Sequence, residues 1–124
     1  MILLEQMDIY QLSMQMGDKI YDRVMSWDTF GKDTIGKQVV RSADSVAANF
    51  AEGYGRFFFK ERRRFCYYSR GSLMETKTWM IKAKNRGLIP EENYKNFYQL
   101  YLVLLRKLNA YIKNLNDQIK KGKE

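Results

Sequence analysis

Histidine is absent from all 124 residues, and cysteine and proline occur once each. Without histidine the chain cannot build a His-bearing zinc site, a di-iron centre on Glu-x-x-His, a Ser-His-Asp triad or a Cys-His pair. Carboxylate chemistry alone remains, and the acidic residues are scattered singly, so no catalytic residue, metal or cofactor is expected. Metal-dependent cleavage without histidine needs clustered carboxylates, which the sequence does not show. A lone Cys66 cannot form an internal disulfide, and with no histidine to activate it reads as a buried or half-buried thiol. No run of 18 or more apolar residues occurs, and Glu5 and Asp8 interrupt "MILLEQMD" too early for a signal peptide. The expectation is a soluble cytoplasmic protein with no membrane partner. One proline and eight glycines are too few for the turns of an all-β chain.

What is abundant is helical material. Hydrophobic residues make up 45% and charged residues 29%, a composition that folds, at a length suited to one domain spanning 1–124. Apolar residues recur at steps of three and four through Ile9, Leu12, Met16, Ile20 and Val24, which predicts a first helix. "GKDTIG" then reads as a loop, with Asp33 or Thr34 capping a second helix through Ile35, Val39, Ser42, Val46 and Phe50. A third helix is expected from Lys60 to the terminator Gly87, and a fourth from Pro90 to the closing lysines. Short connections imply an all-α, antiparallel up-down-up-down four-helix bundle with "KKGKE" as a loose tail.

The second helix carries Ser42, Ala43, Ser45, Ala47, Ala48 and Ala51, small side chains that allow close approach, so it is expected to be the most buried. Its end, "EGYGR", poses a choice between a phosphate loop and a helix stop. A helix precedes, Arg56 follows, and no Lys-Ser/Thr closes a Walker pattern, so Gly53 and Gly55 read as the left-handed residues that end a helix.

Charge is unevenly distributed. Residues 56–86 hold ten basic and two acidic residues, a surplus equal to the chain's net +8. In "RFFFKERRRFCYYSR", Arg56, Lys60, Arg62, Arg63, Arg64 and Arg70 interleave with phenylalanines and tyrosines. Cations neutralise phosphates and aromatic faces stack on unpaired bases, so single-stranded or irregular RNA is the natural ligand. A solvated basic surface, an acidic protein partner, or phenylalanines serving as core or subunit contacts are the competing readings.

In the fourth helix, "LYLVLL" places six apolar residues in succession, Leu100 to Leu105, on every face. Tyr94, Tyr101, Leu108 and Leu115 recur every seven positions beside a second seam of Tyr98, Leu105, Ile112 and Ile119. One seam fills the subunit's own core, and the remainder predicts a homo-oligomer with Tyr101, Leu102 and Val103 at the subunit interface.

"QVVRSADSVAANFAEGYGR" followed by "FCYYSRGSLMETKTWMIKAKNRGLI" resembles the bacterial four-helix-bundle proteins encoded in intervening sequences of 23S ribosomal RNA genes, over nearly the whole chain. The most specific pieces are Asn49 to Gly53 with Gly55 and Arg56, and Ser69 to Leu73 with Glu75. The family usually has a proline shortly before that asparagine, where this chain reads Val46-Ala47-Ala48, implying a straighter second helix. The resemblance implies rings of five, no established enzymatic activity, and kinship with a basic accessory protein that works with a reverse transcriptase and its RNA. A scaffold ring assisting such an enzyme is therefore the alternative to an RNA-binding module. Asn49, Glu52, Arg56 and Glu75 are expected to form structural pairs or caps, with Glu52 meeting the early third helix around Arg62 to Phe65.

Overall fold

A computed structural model describes residues 2–124. Among them are four long helices and no strand: α1 (Asp8–Met25), α3 (Lys37–Tyr54), α4 (Phe59–Asn85) and α5 (Glu91–Lys120), with a short α2 (Thr29–Gly31) before α3. The apolar steps foreseen for α1 face inward, with Ile9, Met16, Ile20 and Val24 all buried. α3 packs against α4 and α1, and α5 against α4 and α1. Seven of the 18 residues of α3 are buried, against six of 27 in α4 and six of 30 in α5, as its small side chains led one to expect. Polar groups at the α3–α4 crossing are satisfied across it: Ser69 Oγ donates to Val46 O at 2.7 Å, and Thr76 Oγ1 to Ser42 Oγ at 2.9 Å.

"GKDTIG" is not a loop. Asp28, rather than Asp33 or Thr34, caps the segment, its carboxylate accepting from the Gly31 amide at 2.8 Å. The chain then stays helical through a π turn at Lys32–Gly36 directly into α3. The two glycines serve packing: a Cβ on Gly36 would lie 2.9 Å from Val24 Cγ1, and one on Gly31 would lie 3.1 Å from Leu88 Cδ2.

Gly53 and Gly55 also depart from expectation. Gly55 has φ −80°, and positive φ occurs only at Gly87 and Gly122 among the described residues. Gly53 is instead a contact point inside α3, where a Cβ would stand 2.7 Å from Phe65 Cβ and 3.1 Å from Arg62 O. Gly53→Ala is accordingly expected to cost about 1–3 kcal/mol through overpacking of α3 on α4. A urea midpoint unchanged from wild type would show that the helices separate freely there.

Gly87 does terminate α4, with φ 75° and the Leu88 amide donating back to Ala83 O at 2.8 Å. α5 runs to Lys120, the chain turns at Gly122, and Glu124 O accepts from the Phe59 amide at the start of α4, which has no side-chain cap.

Candidate nucleic-acid interface

The basic residues of 56–86 divide into two groups with different duties. Arg56 closes the α3–α4 turn, 3.0 Å from Glu52 and 3.6 Å from Glu61, with its guanidinium 5.0 Å from the Phe65 ring. Arg62 Nε donates to Arg56 O at 2.6 Å and the same guanidinium covers Phe59. Both are thus committed to fastening the turn. Glu52 faces Arg56 rather than early α4, and Gly53 occupies the place foreseen for it. Asn49 is half-buried, and exposed Glu75 accepts from Trp79 Nε1 at 3.0 Å within α4.

The second group lies along the seam between α4 and α5. Arg63 donates to Asn116 Oδ1 at 2.8 Å, and Arg70 to Asn109 Oδ1 at 3.0 Å. Further along, Lys77 sits 5.2 Å from the Tyr101 ring and Lys84 4.7 Å from that of Tyr94. These four cations are spaced by seven residues, about 10.5 Å per step on an α-helix. Each is steadied by an amide or a ring, which reduces the freedom its side chain loses on meeting a ligand. Lys77 and Lys84 lie within the basic segment 56–86 but outside the dense block at 56–70 from which the candidate residues were drawn. Their signal was the sevenfold repeat of charge rather than local density. Lys60 and Arg64 are exposed and have no ion-pair partner among the described residues.

Most rings of the block are engaged within the chain. Tyr67 has the Arg63 guanidinium at 6.0 Å and that of Arg70 at 5.2 Å, and Phe65 meets Tyr68 edge to face at 5.5 Å. Phe57, Phe58 and Tyr68 nonetheless remain exposed, Phe57 most of all, at the turn.

Of the three residues assigned to a subunit contact, Tyr101 belongs elsewhere. It is buried in the subunit's own core, its hydroxyl 3.2 Å from Met74 Sδ. Leu102 is half-buried and Val103 exposed. Cys66 is buried, and desolvation pushes its thiol up to about 12, so it is protonated at neutral pH. A cleft of about 460 Å³ between α1 and α5 holds one carboxylate, Asp22, and a hydroxyl, Ser26, that already donates to Arg23 O. Among the described residues no His, Cys, Asp and Glu side chains cluster as a metal site, and no helix is long and apolar enough to cross a membrane.

A family model described as 23S rRNA-intervening sequence protein matches residues 5–110. A solved structure from the S23 ribosomal protein family of Bacteroides thetaiotaomicron VPI-5482, described as a protein with unknown function, is similar at TM-score 0.77 and 18% identity, covering 85% of this chain and 98% of that one. No curated protein matches.

Proposed function

The chain belongs to the 23S rRNA-intervening sequence protein family, and from that premise we propose that it is a non-catalytic, oligomeric RNA-binding module built on an antiparallel up-down-up-down bundle. The antiparallel arrangement of α4 and α5 is supported by contacts that run in opposite order along them: Arg63 with Asn116, Arg70 with Asn109, Met74 with Tyr101.

The observation that carries the binding reading is the ladder of Arg63, Arg70, Lys77 and Lys84. A straight row of steadied cations suits a phosphate backbone, and a net charge of +8 draws a polyanion to it. Tyr67 and Phe65 already lie against the chain's own cations, so backbone contacts carry the affinity and base stacking adds little. A folded RNA such as a hairpin, one of the irregular RNAs that the aromatic content suggests, suits the ladder best.

The test is fluorescence anisotropy with a labelled RNA hairpin over a range of salt. Replacing Arg63, Arg70, Lys77 and Lys84 together by Ala should flatten log affinity against log salt by three to four units, at about 0.9 per lost phosphate contact. Circular dichroism checks that the variant remains helical. An unchanged slope and affinity would falsify the ladder as the contact surface.

A further inference from the structure

Both chain ends and the α3–α4 turn converge at one end of the molecule. The Tyr54 hydroxyl donates to Ile2 O, and the Phe59 amide donates to Glu124 O. Four large apolar side chains project there into solvent: Phe57 is 78% exposed, Phe58 44%, Ile2 57% and Leu3 59%. The phenylalanine rings meet edge to face, 5.1 Å between centroids, and thus form one knob. Around it stand Lys60, Arg64, Lys120, Lys121 and Lys123, all exposed and none with an ion-pair partner among the described residues, against two carboxylates, Glu61, which pairs with Arg56, and Glu124, both lining the same hollow as Phe58 and Lys60.

We infer that this end is a docking surface for an anionic lipid bilayer. Bilayer interfaces accept aromatic and aliphatic side chains at the boundary between headgroups and acyl chains, while lysine and arginine pair with anionic headgroups just above. The end of this bundle has that layering, an apolar tip flanked by five free cations that outnumber its two carboxylates. A second copy docked tip to tip would bring two cation clusters together, which opposes that contact. RNA phosphates would meet the cations but leave Ile2 and Leu3 without apolar cover. The sequence expectation of no membrane partner rested on the absence of a spanning segment, and this inference departs from it because a surface anchor requires none. In a cyclic oligomer whose bundles run along the rotation axis, all copies of the tip face the same side, so weak single contacts add as avidity.

The inference stands apart from the RNA reading, and its test keeps them separate. The full chain is co-sedimented with vesicles of phosphatidylcholine alone, or with one lipid in about three replaced by phosphatidylglycerol, near the anionic content of cytoplasmic leaflets. The expected result is binding to the mixed vesicles only, weakening with salt. Phe57→Ser with Phe58→Ser should reduce the partition coefficient at least about tenfold, since burying each ring contributes more than a factor of ten. The same variant should keep its affinity for the RNA hairpin, whereas the ladder variant should lose RNA and keep vesicles. Three results would overturn the inference: no binding to anionic vesicles, binding that the double serine variant retains, or a change of oligomer size in that variant, which would make the tip a contact between copies.

Discussion

Phe50→Ala is expected to lower folding stability by about 3–5 kcal/mol, the usual cost of emptying a buried phenylalanine site. Phe50 is buried in the last turns of α3. Its ring lies 5.3 Å from Tyr111 of α5 in an edge arrangement and 6.2 Å from Tyr54, stacked, on its own helix. Collapse around the vacancy is hindered from the α3–α4 side, because Gly53, one turn on, already brings the two backbones into contact. Small single domains hold only about 5–15 kcal/mol in total, so this one truncation removes a large share. Urea denaturation followed by circular dichroism reads it as a shift of midpoint at constant slope. A loss below about 1 kcal/mol would mean that the core closes over the site.

The same region shows where the sequence was legible and where it was not. Burial of Ile9, Met16, Ile20 and Val24 follows from steps of three and four within one helix, a local signal that needs no knowledge of partners. The stop at Gly87 is equally local, because the left-handed turn and its hydrogen bond to Ala83 lie within a few residues. Glycines inside helices gave no such signal. Gly36 is set by Val24 and Gly53 by Phe65 and Arg62, all on other elements, so turn chemistry and close packing look alike in one dimension. Glu52 was aimed at early α4 by counting outward from the turn, one residue away from the glycine that faces it. The candidate site was half visible. Charge density marked Arg63 and Arg70, but the partners that steady them, Asn116 and Asn109, are 53 and 39 residues away.

Val103→Glu is expected to break the proposed oligomer into smaller particles that remain helical. α5 is held from two sides: Asn109 and Asn116 meet α4, and Lys107 meets Asp8 of α1 at 2.7 Å. Tyr101, Leu104 and Leu108 fill the core between. Val103 is two residues on from Tyr101, about 200° round the helix, and therefore points away from the core. It is 41% exposed, an apolar side chain with no partner role inside the subunit. Another unpartnered stripe lies on α1, where Met14, Tyr21 and Met25 are all exposed at helical spacing. Rings form when one face of a subunit meets a different face of the next, and in the proposed assembly Val103 meets this α1 stripe. A buried, unpaired carboxylate is costly, so Glu at 103 should dissociate the contact, and Tyr21→Glu on the opposing face should do the same. Leu102, half-buried against the core, should tolerate charge less well within the subunit and so reports folding as well as assembly. Light scattering at tens of micromolar, paired with circular dichroism, separates these effects. A wild-type monomer at that concentration would defeat the assembly itself. A stable dimer or tetramer would defeat only the number five, which comes from family resemblance, and would leave the two apolar faces as the contact to be mapped.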